Sequence, residues 1–198
     1  MPKAGSNPQQ PGDRLQLKVT LLDLRPAIWR RLLVPAAIKL PKFHTVLQLA
    51  FGWTNSHLHA FRHGEDSYET DHRSGWVPDL FNDGSGHDEK KVRLGDLLQA
   101  RGDWLLYEYD FGESWEHEVL IEKVLPGTGT SHAVCLAGAR AGPPEDCGGV
   151  PGYENVVTAM ADPKHPEREE LLEWLGAPYD AKAFDCPGLN RQLKRLKL

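Results

Sequence analysis

The stretch Tyr107–Val119 constrains the fold of this chain more than any other. It alternates aromatic or apolar residues with carboxylates on both sides of a glycine-containing turn, which predicts a β-hairpin. If the loop is the three residues 112–114, Phe111 pairs with Trp115 and Tyr109 pairs with His117. The hairpin then has one aromatic face suited to a hydrophobic core.

The opposite face of this hairpin carries four carboxylates. In the same register Asp110 lies opposite Glu116, and Glu108 lies opposite Glu118. Like charges directly opposite one another destabilise a sheet. Screening by solvent, pairing with basic side chains of neighbouring strands, and a bound cation are three open explanations. The basic candidates are Lys18, Arg30 and Arg31.

The remaining chain supplies strands first and helices later. Alternation predicts strands at 15–24 and 28–34, and helical spacing predicts a helix from Phe43 to Phe51 that ends at Gly52. This order predicts an α+β fold, a single domain over residues 14–198 with a mainly antiparallel sheet flanked by helices and a helix-rich C-terminal third. The Pro/Gln/Gly-rich residues 1–13 are predicted to be a disordered tail. Further strands are expected at 58–63 and 132–137, helices at 94–100, 151–161, 167–175 and 189–196, and a long loop at 71–91.

Composition excludes several classes of protein. The formal charge of -5 argues against a non-specific nucleic-acid coat, so binding through Arg30, Arg31 and the basic C-terminus ranks last. No apolar run approaches the roughly 20 residues that cross a bilayer, so no membrane partner is expected. Three cysteines without a CxxC pair predict free thiols in the cytoplasm.

Histidines provide the first candidate metal ligands. His57 and His59 flank one residue and therefore lie on the same side of an extended segment. Imidazole pairs of this kind bind zinc, iron or manganese, so His57, His59 and Asp110 form a candidate metal set, with structural histidines as an equal alternative. His117 falls on the apolar face of the hairpin, where a hydrogen-bonded core role is favoured over ligation.

The loop Pro143–Gly149 adds two more carboxylates. Its double proline and double glycine can hold Glu145 and Asp146 in a fixed direction, although a rigid turn with Asp146 bonded to nearby amides explains it equally well. Cys147 lacks an activating base and is a poor nucleophile candidate. The predicted binding cleft comprises Arg30, His57, His59, Asp110, Glu116, His117, Glu145 and Asp146.

Four motifs in order resemble those of the plasmid pRiA4b ORF-3-like family. They are Ile28-Trp29-Arg30-Arg31, the run from Phe51-Gly52-Trp53 to His57-Leu58-His59-Ala60-Phe61, the hairpin segment 109–117, and the Pro-Pro-Glu-Asp-Cys-Gly-Gly loop at 143–149. The resemblance covers about residues 15–195. It implies a compact α+β fold with an antiparallel sheet, and it implies no established activity.

Two positions depart from the family pattern. Glu113 stands where aspartate is expected, and Gly142 stands where some members carry cysteine, which weakens any cysteine-based metal site. The association of the family with passengers of transposable elements suggests a resolvase. This chain has neither a basic DNA-binding arm nor a recombinase nucleophile motif.

Two leading hypotheses follow for function. The first is a non-catalytic binding or interaction domain of plasmid and transposon passenger type, with no established cofactor and an unknown partner. The second is a divalent-metal-dependent hydrolase or nuclease, in which a metal ion activates water and a spare carboxylate acts as general base. Convergence of the histidines and carboxylates around one cleft favours the second, whereas pairing of the acidic face with arginines disfavours it.

Overall fold

A computed structural model describes residues 13–70, 86–127 and 132–197, and shows an α+β protein with one large, mostly antiparallel sheet. Residues 1–12 of the predicted tail and 71–85 of the predicted long loop lie outside the described residues. The strands are β1 (Arg14–Leu21), β2 (Ile28–Pro35), β3 (His59–His63), β4 (Asp66–Glu69), β5 (Gly86–Asp88), β6 (Trp104–Tyr109), β7 (Trp115–Leu125) and β8 (Val134–Ala139). The helices are α1 (Leu40–Phe51), α2 (Leu94–Leu97), α3 (Gly149–Ala161), α4 (Arg168–Leu175) and α5 (Cys186–Leu193).

The eight strands follow the order β5-β4-β3-β6-β7-β1-β2-β8. All neighbouring pairs are antiparallel except β4 and β5, which run parallel. The predicted hairpin therefore occupies the middle of the sheet. Among the described residues, no helix is both long and apolar enough to cross a bilayer.

One face of this sheet is buried and the other is partly exposed. In β1, residues 15, 17, 19 and 21 are buried and residues 16, 18 and 20 are partly exposed. In β2, residues 28, 30, 32 and 34 are buried and residues 29, 31, 33 and 35 are partly exposed, as alternation predicts. Helix α1 covers the buried face and ends at Gly52, whose φ of 86° suits glycine. Its Phe43 stacks on Phe61 of β3, and its Phe51 meets His117 of β7 edge to face.

The hairpin has a different register from the predicted one. Tyr109 pairs with Trp115 and Tyr107 pairs with His117, so the loop is the five residues 110–114 rather than three. The shift is two residues, which keeps every strand residue on its predicted face because side chains alternate with period two. Asp110 leaves the acidic face for the turn, and Phe111 is 41% exposed rather than in the core.

Arginine pairing accounts for much of the remaining acidic face, but the arginine was not among those predicted. Glu108 and Glu116 lie opposite each other. The guanidinium of Arg62 in β3 lies 2.5 Å from the carboxylate of Glu108 and 3.9 Å from that of Glu116. Arg31 instead forms a two-pronged pair with Glu122 at 2.6 and 2.8 Å. That contact lowers the pKa of Glu122 to about 2, mainly through the hydrogen bonds from Arg31.

Arg30 is a buried structural residue. Its guanidinium donates to the carbonyls of Ala50 at 2.6 Å, Trp29 at 2.9 Å and Ala139 at 3.0 Å, tying the end of α1 to strands β2 and β8. It also lies 4.1 Å from the ring centroid of Phe184. Burial lowers its pKa to about 10.

We expect Arg30→Met to lower the free energy of unfolding by about 3 kcal/mol, because it leaves buried carbonyls without donors. Arg31→Met is the matched control, since it changes the adjacent residue on the partly exposed face and removes an ion pair worth about 1 kcal/mol or less. Urea denaturation of both variants provides the measurement. Equal losses in the two variants would contradict the structural role assigned to Arg30.

Candidate functional site

Three loops meet at one end of the sheet. They are residues 52–58 after α1, the turn 110–114 between β6 and β7, and the loop 143–149 before α3. The backbone N–H of Asp110 donates to the carbonyl of Leu58 at 2.9 Å, and the indole of Trp53 donates to the carbonyl of Pro143 at 3.0 Å. These contacts bring residues distant in sequence to one surface.

His57, Asp110 and Asp146 form a cluster of three potential metal ligands, one from each loop. Nε2 of His57 lies 2.9 Å from Oδ1 of Asp146 and 3.7 Å from Oδ2 of Asp110. All three ligand atoms lie within 4.8 Å of one another. Ligands at zinc distances in tetrahedral geometry are about 3.4 Å apart, so this arrangement fits a divalent ion after small side-chain adjustments.

The Nε2 atom of His57 is buried and forms no hydrogen bond with acceptable geometry among the described residues. Its 2.9 Å contact with Asp146 is therefore a close approach without hydrogen-bond alignment. Buried polar atoms in folded proteins normally have a partner, and an orphaned one requires an explanation. A metal ion between the imidazole and the carboxylates would supply that partner.

Local backbone geometry presents both aspartates to this cluster. Asp110 and Asp146 have φ values of 57° and 55°, in the left-handed region that aspartate tolerates better than most residues. The Oδ1 atom of Asp110 accepts the N–H of Gly112 at 2.9 Å, and its carbonyl accepts the N–H of Ser114 at 2.6 Å. This turn leaves Oδ2 of Asp110 directed toward His57.

Glu145 connects two of the loops to the hairpin. Its Oε1 accepts the N–H of Thr54 at 2.7 Å, the hydroxyl of Thr54 at 3.0 Å and the hydroxyl of Tyr109 at 3.0 Å. Burial, followed by this contact with Glu145, raises the pKa of Tyr109 to about 12. The hydroxyl of Tyr109 also accepts the N–H of Ser56 at 3.0 Å, so the loop that carries His57 is held in place.

Glu113 holds the other end of the 143–149 loop. Its two carboxylate oxygens accept the N–H of Gly148 at 2.5 Å and the indole N–H of Trp115 at 2.8 Å. The pKa of the neighbouring Cys147 is raised to about 12, first by burial and then by the charge of Glu113. A thiol with this pKa remains protonated near neutral pH and is a weak nucleophile.

Close backbone approach also explains one departure from the family pattern. A Cβ atom at Gly142 would lie 2.0 Å from the carbonyl oxygen of Phe51. Any side chain there, including cysteine, requires the end of α1 and this loop to move apart. The glycine therefore permits the packing that brings Asp146 toward His57.

His59 does not join this cluster. Its Nε2 lies 3.0 Å from Oε2 of Glu89, and its ring stacks on His44 with centroids 3.6 Å apart and planes within 6°. Burial, followed by the charge of His59, lowers the pKa of His44 to about 4. His59 and His44 line a cavity of about 670 Å³ that extends to His57.

The other predicted site residues are also separated from the cluster. Glu116 lies 3.9 Å from Arg62, and Arg30 donates to three backbone carbonyls. His117 is completely buried, and its Nδ1 lies 3.0 Å from the carbonyl oxygen of Trp115. Of the predicted cleft, the structure brings together His57, Asp110 and Asp146, with Glu145 as a loop support.

Sequence reasoning missed three polar residues near this surface. Arg62 follows the buried Phe61 in β3, so strand alternation could have predicted that Arg62 lies on the more exposed face. Glu89 is 2% exposed in a short 3₁₀ turn (Glu89–Lys91) whose composition indicates a loop, so nothing in its pattern predicted burial. His44 lies on the buried face of α1, at position i+1 from Phe43, and helical spacing could have placed it beside the core.

The fold and these loops define an α+β protein built on one large, mostly antiparallel sheet, with a His/carboxylate cluster at one end. The chain belongs to the plasmid pRiA4b ORF-3-like protein family, which it matches over residues 13–187. It is 39% identical over 184 residues to the uncharacterized protein y4hQ of Sinorhizobium fredii, covering 92% of this chain and 91% of that protein. The crystal structure of a protein of unknown function, MM3350 from Methanosarcina mazei Go1, superposes with a TM-score of 0.76 at 32% identity, covering 89% of this chain and 97% of that one.

Burial of His117 predicts a pH-dependent stability. Burial lowers its pKa to about 3, whereas the unfolded imidazole has a pKa near 6.5. Because the folded pKa is depressed, the unfolded state binds the proton first as pH falls below 6.5, and stability is lost toward pH 3. We expect wild type to lose about 2 kcal/mol more than His117→Gln between pH 7 and pH 5 in urea titrations.

The control for this experiment is His63→Gln, which removes a partly exposed histidine at the end of β3. It should retain the pH slope of wild type. A His117→Gln variant with the same slope as wild type would show that the core imidazole is not the group that titrates.

Proposed function

We propose that this protein is a binding domain whose central ligand is a divalent metal ion held by His57, Asp110 and Asp146. The observation that carries the proposal is the buried, unpartnered Nε2 of His57 beside two carboxylates at 2.9 and 3.7 Å. One imidazole and two carboxylates suit zinc, manganese, iron or cobalt better than calcium, which prefers oxygen ligands alone. Two carboxylates also neutralise the charge of such an ion.

We infer the genetic origin and the cellular compartment of this protein from its family and its composition. The family description, a plasmid ORF-3-like protein, supports carriage as a passenger of mobile elements. The three cysteines are free, which supports a reducing compartment such as the cytoplasm. Basic residues offer little support for nucleic-acid binding, since Arg31 pairs with Glu122 and Arg191 pairs with Asp185.

Elemental analysis tests the metal site. Wild-type protein that is stripped with EDTA, incubated with Zn²⁺ and desalted should retain about one zinc per chain, because the three ligands converge on one ion. His57→Ala and Asp146→Asn should retain almost none. Asp146 is well suited to this test because its side chain is 67% exposed, so its substitution does not disturb the core.

His63→Ala is the matched control, since it removes a histidine from the far end of β3 without changing the cluster. It should bind zinc as wild type does, and circular dichroism should show all four proteins folded. Equal zinc content in His57→Ala and His63→Ala would refute the site.

A metal-dependent hydrolase is the second candidate, and it rests on the open side of the cluster. Three protein ligands leave coordination positions for water, as catalytic rather than structural zinc sites do. Glu145 is a candidate general base because its Oε2 receives no hydrogen bond within the described part of the chain, whereas its Oε1 anchors the loops.

Hydrolysis of bis(p-nitrophenyl) phosphate and p-nitrophenyl acetate by zinc- or manganese-loaded protein tests this candidate. We expect Glu145→Gln to lower kcat about 100-fold while zinc content is retained, because the amide oxygen can still anchor the loops. A wild-type rate no higher than that of the free metal ion would rule out hydrolysis of these substrates. The binding function would then stand alone.

A further inference from the structure

A second site lies beside the metal cluster, in the cavity of about 670 Å³ between α1, the start of β3 and the 3₁₀ turn at Glu89–Lys91. Cavities that hold small molecules in proteins span about 300–1,000 Å³, so this one has room for a compact organic ligand. The residues that matter for its chemistry are His44, Asn55, His59, Thr70, Glu89 and Lys90.

Two stacked imidazoles form a rigid, buried wall of this cavity. His44 and His59 are only 5% and 9% exposed. Nδ1 of His44 lies 2.8 Å from the hydroxyl of Tyr107, and its Nε2 lies 2.6 Å from Oδ1 of Asn55. Since Asn55 Oδ1 is an acceptor, Nε2 of the neutral ring carries the proton and Nδ1 accepts the one from Tyr107.

Glu89 is the one carboxylate among the described lining residues, and it is already engaged. Oε1 of Glu89 accepts the hydroxyl of Thr70 at 2.8 Å, and its Oε2 lies 3.0 Å from Nε2 of His59. Burial would raise the pKa of Glu89, but the contacts with His59, Thr70 and His44 together outweigh it and the pKa is lowered. Glu89 is therefore an internally paired group rather than a free receptor for a cationic ligand.

Two exposed residues that line the cavity, Asn55 and Lys90, have side-chain donors without a partner among the described residues. The side-chain amide of Asn55 has no acceptor for its N–H groups among the described residues, because its only bond there is through Oδ1. The ammonium of Lys90 has no carboxylate within 4.0 Å in the same ranges. Its neighbour Lys91, by contrast, pairs with Asp88 at 3.4 Å and does not line the cavity.

We propose that this cavity binds a small organic anion, either a carboxylate or a phosphate monoester, through Lys90 and the amide of Asn55. The buried rings of His44 and His59 line the inner part of this cavity, and the exposed donors of Lys90 and Asn55 orient the anionic group of the ligand. His57 lines this cavity and also belongs to the metal cluster, so the two sites are adjacent.

Ligand binding by the full chain, stripped of metal with EDTA, tests the proposal independently of the metal site. The probes are phenyl phosphate and benzoate, with benzyl alcohol as the neutral analogue. Their binding is measured by saturation-transfer NMR and calorimetry. For ligands of about ten heavy atoms we expect a Kd on the order of 1 mM. We expect at least one anion to bind in this range and benzyl alcohol to bind at least fivefold more weakly.

Variants locate the anion within the cavity. Lys90→Gln should weaken binding about fivefold, and Asn55→Asp should weaken it further, since it keeps the acceptor for His44 but replaces two donors with a negative charge. Lys91→Gln is the matched control and should bind as wild type does. Thermal unfolding of each variant establishes that the comparison is between folded proteins.

Two kinds of result would overturn the proposal. The first concerns the ligands: neither anion binds at a concentration about ten times the expected Kd, or benzyl alcohol binds with the same affinity as the anions. The other is equal weakening by Lys90→Gln and Lys91→Gln, which would mean general surface charge rather than this cavity. The result of the zinc experiment does not affect this test, because anion binding is measured on metal-free protein.

Discussion

One-sided burial of the sheet is the constraint on which the rest of the structure depends. Strands β6 and β7 lie in its middle, and their alternation places Tyr107, Tyr109, Trp115 and His117 on the face that α1 covers. Polar atoms on that face must find partners within the protein, because water does not reach them. The hydroxyl of Tyr107 accordingly receives an N–H from Gln48 of α1 at 3.1 Å.

The same constraint places the candidate functional site at the end of the sheet. There the strands stop, and loops can present polar side chains to solvent without breaking the ladder. Tyr109 is the last residue of β6, and its hydroxyl reaches out of the core to Glu145 and Ser56. The core is thus directly connected to the loops that carry His57 and Asp146, so the candidate metal cluster stands on a rigid support.

Charge is distributed differently on the two sides of this support. On the acidic side of the hairpin, Arg62 pairs with Glu108 and lies 3.9 Å from Glu116, whereas Asp110 and Asp146 approach His57. In the neighbouring cavity, Glu89 contacts His59 at 3.0 Å, and the exposed Lys90 carries a positive charge. The candidate metal cluster and the proposed anion site are thus adjacent, because His57 belongs to the first and lines the second.

The sequence by itself determined the hairpin, its two faces, α1, the antiparallel sheet and the family. These depend on periods of 2 and 3.6 residues and on ordered motifs, which are local properties of the chain. It also indicated His57, Asp110 and Asp146 as candidates, but it could not separate His57 from His59, because two histidines on one side of a strand look equivalent. The five-residue turn at 110–114 removed Asp110 from the acidic face, and the 143–149 loop brought Asp146 to His57. Only the tertiary structure decided this grouping, because it depends on contacts between loops 36 to 91 residues apart, such as those of Glu145 with Tyr109 and Thr54, that no local pattern encodes.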